Sequence, residues 1–259
     1  MRQGCCLSPL LFNLYVEEMM LEAMESIEEG IKIGGKLLKD VRFADDQAMV
    51  ASSEEGLQKI MDGLNRTAKE YEMKINIKKT KVMRVSKNVG GQVTIMIEGK
   101  KVEQVKSFKY LGSTLTEDGR CEKEVKIRIA LAKEAFSKRK VLLTKSFRKE
   151  TKKKLVKTLV WTTLLYGSET WTLRKEEIRR LEAMEMWLWR RLEKIKWTDK
   201  VSNERVLERV GEQRQLMKLL RNRKKIWIGH VLQGEGLMRD VMEGRMECKR
   251  SREGQELEC

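Results

Sequence analysis

Along the first part of the chain, short apolar runs alternate with longer stretches of helical period. From Glu54 to Tyr71 the apolar positions Leu57, Ile60, Met61, Leu64, Ala68 and Tyr71 trace one face of an amphipathic helix. Ser52 and Ser53, just ahead of Glu54 and Glu55, predict its N-terminal cap, with the acids matched to the helix dipole. Leu10, Leu11, Leu14 and Tyr15 predict another helix over Leu7–Met24. The run Val41–Val50 is different, because an apolar stretch is split by adjacent Asp45 and Asp46. It predicts two short strands joined by a tight turn that carries both carboxylates at its tip. Val93–Ile97, a turn over Glu98–Lys101, and Val102–Phe108 predict a second hairpin.

Beyond Gly119 the pattern becomes helical, with scarcely a strand. Helices are expected over Glu122–Lys145, Glu150–Tyr166, Lys175–Lys196, Asn203–Val210 and Gln213–Val231. All six tryptophans fall here, interleaved with basic clusters such as Lys152-Lys153-Lys154 and Arg190-Arg191. Tryptophans at helical spacing fit a core, and beside a basic groove they would also fit base stacking. The lysine runs read as a solvated face. Glu243–Cys259 is charged and poor in apolar residues, and reads as a disordered tail. The expected fold class is α+β: helices on a small antiparallel sheet over residues 1–118, an all-helical region over 119–242, then the tail over 243–259.

Charge narrows the choice of partner. Lys plus Arg total 55 against 39 Asp plus Glu, a net +16 over 259 residues. Such an excess favours a polyanion through phosphate neutralisation and counterion release, although an anionic membrane surface would feel the same field. No segment has the unbroken apolar length of a bilayer span: Leu10–Val16 is cut by Asn13 and followed by Glu17 and Glu18. Only Arg2 precedes that run and no small-residue cleavage site follows, so no signal peptide is expected and the chain reads as intracellular, in nucleus or cytoplasm. Five cysteines without a C-x-x-C pair, two of them adjacent, do not suggest a disulfide framework. With His230 the single histidine, a Cys/His zinc site or a histidine-based triad lacks its parts. Carboxylates, lysines and metal are the chemistry left.

The order of short motifs then becomes informative. Arg2-Gln3-Gly4-Cys5-Cys6-Leu7-Ser8-Pro9-Leu10-Leu11-Phe12 resembles motif B of reverse transcriptases, and Phe43-Ala44-Asp45-Asp46 resembles their motif C. Asn76-Ile77-Lys78-Lys79-Thr80-Lys81 is similar to motif D, and Phe108-Lys109-Tyr110-Leu111-Gly112 to motif E, the primer grip. Leu164-Leu165-Tyr166-Gly167-Ser168-Glu169-Thr170-Trp171 looks like a stretch that follows the palm in polymerases of non-LTR retrotransposons.

This resemblance implies an RNA-directed DNA polymerase that uses an RNA template, a DNA primer and dNTPs. Its fold would be an incomplete palm followed by a thumb-like helical region. Asp45 would be the principal ligand of Mg²⁺, with Asp46 supporting it, in a site where two metals roughly 3.5–4 Å apart clamp the attacking and leaving oxygens. Gln3, Gly4 and Ser8 would meet the template or nucleotide, with Gly4 allowing close backbone approach. Lys79 would stabilise or protonate the leaving pyrophosphate, although Lys78 or Lys81 could do the same. Tyr110, Leu111 and Gly112 would hold the primer end.

Two positions depart from the family's usual residues: Cys6 replaces a proline, and Gln47 replaces an apolar residue that helps pack the second strand. The family's further metal-binding aspartate lies on motif A, upstream of motif B. The sequence opens inside motif B, so the resemblance implies an N-terminally truncated fragment that is inactive by itself. Glu17, Glu18 and Asp40 are the nearest acids that could substitute. A noncatalytic basic nucleic-acid-binding protein, and an interaction module whose acids only form a turn, are the other readings of the same residues.

Overall fold

The computed structural model describes residues 6–44, 46–86, 90–139 and 147–244. These form two compact units. The first takes in the described residues up to Arg84, then Gly90–Lys106, then those from Val231 onward; the second takes Ser107–His230 with a short piece beginning at Val85. The mixture of helices and small sheets is an α+β fold.

In the first unit, helix α1 (Ser8–Glu25) starts where Pro9 is tolerated, since the first-turn N–H groups have no intrahelical acceptor anyway. Strands β1 (Ile31–Ile33), β2 (Lys36–Leu38), β3 (Asp40–Phe43) and β4 (Asp46–Met49) follow, then helix α2 (Glu54–Glu70). The expected cap is present, with Ser53 Oγ accepting from the Gly56 N–H at 3.0 Å. Helix α1 buries Val16, Met19, Met20, Ala23 and Met24 against Ile60, Met61, Leu64 and Ala68 of α2. The residues whose spacing predicted α1 are on its other side: Leu10, Leu11, Leu14 and Tyr15 are all exposed. The helix is apolar nearly all round, so periodicity finds it and mistakes its face. Gly63 lets the two elements approach, because a Cβ there would meet Ile27 Cδ1 at 2.9 Å and the Ala23 carbonyl oxygen at 3.3 Å. The joint is closed by Tyr15, which donates to the Tyr71 carbonyl at 2.8 Å, and by Tyr71, whose hydroxyl donates to Glu22. That bond to Glu22 pushes the Tyr71 phenol up to about 12.

The strands pair in twos. β1 and β2 form a hairpin through Gly34 (φ 57) and Gly35 (φ 77), a two-residue turn of the type that matches strand twist. With three residues per strand, its apolar pattern is too short to announce it. Past α2 come β5 (Lys81–Val82), β6 (Met96–Ile97), β7 (Lys100–Lys101) and β8 (Glu103–Gln104). The second hairpin is tighter than its sequence predicts, for Ile97 pairs with Lys100 and the turn is Glu98 (φ 51) and Gly99 (φ 71) alone. Val102–Phe108 is not one strand either: β8 leaves to pair in parallel with β5. Gln58 of α2 fastens β6, accepting from the Met96 N–H at 2.8 Å and donating to its carbonyl at 2.9 Å.

The second unit opens with β9 (Ser107–Tyr110) and β10 (Ser113–Thr116), followed by α3 (Glu122–Lys138) and α4 (Lys149–Leu155). A π turn over Val156–Val160 leads into α5 (Trp161–Leu164), and α6 (Lys175–Leu192), α7 (Asn203–Val210) and α8 (Leu216–Gln233) complete the bundle. A further short helix, α9 (Leu237–Met242), belongs to the first unit and was not expected from the sequence. Helix α3 stops at Lys138, with residues 140–146 outside the described set, and α6 stops at Leu192, short of the expected Lys196. The expected tail falls almost wholly on residues 245–259, also outside the described set.

Phe136, Val160, Trp161, Leu181, Leu188, Trp189, Val206 and Leu220 share one core, with the Trp161 and Trp189 rings edge to face at 6.0 Å. Trp171 is buried as well, so three of the six tryptophans are core. Trp187 is half-buried between the Lys133 and Arg191 cations, each 5.5 Å from its ring centre, while Trp197 is 89% exposed. The lysine run 152–154 is not wholly solvated: Lys153 is buried and donates to the Val210 and Gly211 carbonyls at the end of α7. Those carbonyls have no partner within their own helix, which is why a cation is drawn inward there. At the start of α8, Glu185 accepts from the Gln215 and Leu216 N–H groups, and its burial raises its pKa above the usual glutamate range. Among the described residues, no helix is long and apolar enough to cross a membrane.

Candidate functional site

The acidic motif lies on the β3–β4 hairpin. Phe43 pairs with Asp46, Arg42 with Gln47, Val41 with Ala48 and Asp40 with Met49. Asp46 is therefore the first residue of the return strand and not part of the turn tip, as its sequence had suggested; Ala44 occupies the left-handed region at φ 53. Asp45 lies outside the described residues, as do Gln3 and Gly4. Ser8 is the first residue of α1.

The register divides the hairpin into two faces. Cross-strand partners project to the same side, so Asp46 shares a face with Phe43, Val41 and Ala48. Phe43 is 64% exposed and Asp46 is exposed beside it. The opposite face holds Asp40, Arg42 and Gln47. There Arg42 donates to Glu17 of α1 at 2.9 Å and pairs with Asp40 at 3.4 Å. Gln47 belongs to this polar face, which explains why a non-apolar residue is accommodated on the second strand. Two of the acids nearest the hairpin in sequence, Glu17 and Asp40, are thus committed to one guanidinium on the face away from Asp46. Among the described residues no group of three or more possible metal ligands comes together.

The motif that contains Lys79 is a turn organised by Asn76. The Lys79 N–H donates to Asn76 Oδ1 at 3.1 Å, and the Thr80 N–H and hydroxyl both donate to the Asn76 carbonyl. Asparagine favours such local bonding, and the turn sets Lys78 and Lys79 in the open. Lys81 differs, since it pairs with Glu103 at 2.6 Å across the β5–β8 ladder. Of the three lysines offered by the sequence, 78 and 79 are the ones presented to solvent.

Tyr110, Leu111 and Gly112 belong to the second unit. Tyr110 ends β9 and pairs with Ser113, and the turn between them is Leu111 (φ 47) and Gly112 (φ 81). Three residues that the sequence reading gave no role gather on this turn. The Tyr166 hydroxyl donates to the Leu111 carbonyl at 2.9 Å, and Arg128 Nη2 donates to the Gly112 carbonyl. Glu124 accepts from Arg128 Nε at 2.6 Å and from the Thr114 N–H at 2.8 Å. Tyr166 was visible as part of the Leu164–Trp171 stretch; Glu124 and Arg128 had only their i, i+4 spacing to mark them. Past β10, Asp118 accepts from the Thr116 hydroxyl and the Arg120 N–H, which hold its carboxyl below the usual range.

Residues 1–115 match the sequence profile of the family described as reverse transcriptase (RNA-dependent DNA polymerase). The chain is 28% identical over 211 residues, 78% of its own length and 74% of the relative's, to a putative uncharacterized transposon-derived protein of Caenorhabditis elegans. It is 26% identical over 121 residues to the RNA-directed DNA polymerase from mobile element jockey of Drosophila melanogaster, covering 44% of this chain and 12% of that protein. It is 29% identical over 128 residues to a retrovirus-related Pol polyprotein from a type-2 retrotransposable element of the same fly, covering 46% of this chain and 12% of that protein. The likeness is to reverse transcriptases over residues 1–115, and the relatives just named are transposon-derived or retrotransposon proteins.

Proposed function

We propose that this chain is the part of an RNA-directed DNA polymerase that carries the motif C hairpin, the triphosphate-side lysine and the primer grip, and that it binds RNA template paired with a DNA primer. Residues 1–118 act as partial palm, and 119–242 as the helical thumb-like region. The observation that carries this reading is the β3–β4 register, which turns Asp46 away from the Glu17–Arg42–Asp40 cluster and onto the open face with Phe43. Carboxylates on a short rigid hairpin suit oxygen-seeking Mg²⁺, and Asp45 and Asp46 would supply its ligands from this chain. Lys79, exposed beyond the Asn76 turn, is the group to meet the triphosphate. Gln3, Gly4 and Ser8 contact template or nucleotide, and Tyr110, Leu111 and Gly112 contact the primer end. Glu17 and Asp40 are tied to Arg42 on the other face and leave the open face to Asp46.

The test is a primer-extension assay with an RNA template, a recessed DNA 3′ end, dNTPs and Mg²⁺, run beside anisotropy titrations of the same hybrid. Binding that weakens steeply as salt rises is expected, and any extension is expected to be lost in Asp45→Ala. Extension that survives Asp45→Ala would overturn the role given to the hairpin. Binding indifferent to salt would overturn the nucleic-acid reading.

A further inference from the structure

We infer that Tyr166 and Arg128, with Glu124 behind them, are positioning residues that fix the Leu111–Gly112 turn for contact with a primer 3′ end. The inference rests on reading Tyr110–Gly112 as the primer grip. Leucine at φ 47 is a conformation that L side chains seldom adopt, and it persists where the surroundings over-determine it. Here they do. Each carbonyl of the turn is held by a different side chain: Leu111 by the Tyr166 hydroxyl, Gly112 by the Arg128 guanidinium. The same guanidinium lies 4.5 Å over the Tyr166 ring, so the two holders brace each other. Arg128 and Glu124 are almost sealed, with 8% and 4% of their side chains exposed. Burying such a pair is unfavourable unless its hydrogen bonds are complete, and these are made to the hairpin. A Cβ on Gly112 would already sit 3.4 Å from the Tyr166 ring.

The other hairpin turns provide the contrast. The β6–β7 turn is reached at the Glu98 carboxylate by Lys69, at 2.8 Å, and the β1–β2 turn at Gly34 by Asp240, while Gly99 and Gly35 are open. The Leu111–Gly112 turn is distinguished by having both of its backbone carbonyls held by side chains from other parts of the chain. The effect is to hold the Leu111 side chain, 40% exposed, in one outward direction. That is the property a surface needs when it must place the last nucleotide of a primer.

The experiment compares two RNA–DNA hybrids of equal length on the full chain: one with a recessed DNA 3′ end carrying 2-aminopurine as its terminal base, one blunt. Wild type is expected to bind the recessed hybrid more tightly and to shift the 2-aminopurine fluorescence. Tyr166→Phe keeps the ring and removes the donor. It is expected to weaken recessed-end binding about fivefold, the scale of one hydrogen bond, while blunt binding stays unchanged. Arg128→Lys should act in the same direction. Equal losses on both hybrids, or no loss on either, would overturn the clamp while leaving the primer-end reading intact. A wild-type chain that does not distinguish the two hybrids would overturn the primer-end reading, and the clamp with it.

Discussion

The carboxylate of Glu185, on α6, accepts the backbone N–H of Leu216 at 3.2 Å and so caps α8 from another helix. It takes the Gln215 N–H on the same oxygen, Oε1, at 2.9 Å. Burial raises its pKa against the opposing pull of those two bonds. A carboxyl with a raised folded-state pKa binds more protons folded than unfolded. Stability is then lost as pH rises from the ordinary glutamate pKa through the folded one. Glu185→Gln keeps an acceptor and removes the charge, so it should match wild type near about pH 4 and exceed it near about pH 7. Glu185→Ala should cost roughly 1–3 kcal/mol by orphaning two N–H groups. Urea titrations of the three proteins at both pH values check this, and a wild-type advantage over Glu185→Gln at the higher pH would contradict it.

Arg128 and Glu124 give a second expectation, on stability alone. Arg128→Met strands a buried carboxylate and should cost about 3–5 kcal/mol. Adding Glu124→Gln removes that charge and should recover part of the loss, a coupling measurable by a double-mutant cycle in urea. Strict additivity would mean that the two side chains do not act as a pair.

The open face of the β3–β4 hairpin predicts association. Val41 and Phe43 are 43% and 64% exposed, on a two-stranded sheet with no third strand among the described residues. Exposed apolar edges of this kind template pairing with other chains. Val41→Thr with Phe43→Ser should shift the protein toward monomer in sedimentation velocity across a concentration series. An unchanged distribution would place the self-association surface elsewhere.

Trp197, in a 3₁₀ turn between exposed Lys196 and Lys200, has almost no structural duty at 89% exposure. Trp197→Ala should leave thermal stability within about 0.5 kcal/mol, as surface changes do. Affinity for single-stranded RNA should fall by up to the roughly 1–3 kcal/mol of one stacked base. Equal affinity of variant and wild type in filter binding would return Trp197 to an ordinary surface residue.

Much of this was legible from the sequence, for reasons that can be named. Helix α2 has a single apolar face and a serine cap, so its bounds could be read to within a residue. The acidic hairpin was legible because an apolar run flanks the pair on both sides. Its faces were not, since one position of turn placement moves Asp46 from the tip into a strand and decides which side it shares. Strands of two or three residues leave no period to detect, which hid β1 and β2 and split the expected 102–108 strand. Lys153 looked solvated because a charge run says nothing about uncapped carbonyls some 57 residues away. The clamp on Leu111 was out of reach for the same reason: Tyr166 and Arg128 meet it only through tertiary structure.

The first unit is discontinuous. The residues that follow His230 return to it, and α9 brings Asp240 so close to the β1–β2 turn that a Cβ on Gly34 would meet Asp240 Cγ at 2.8 Å. During synthesis, the helical unit can therefore settle as soon as its last helix leaves the ribosome. The unit that carries the acidic hairpin waits, incomplete, until translation has passed the helical unit altogether. A stop codon just past Gln233 would leave the helical unit whole and take a piece out of the one that came off the ribosome first.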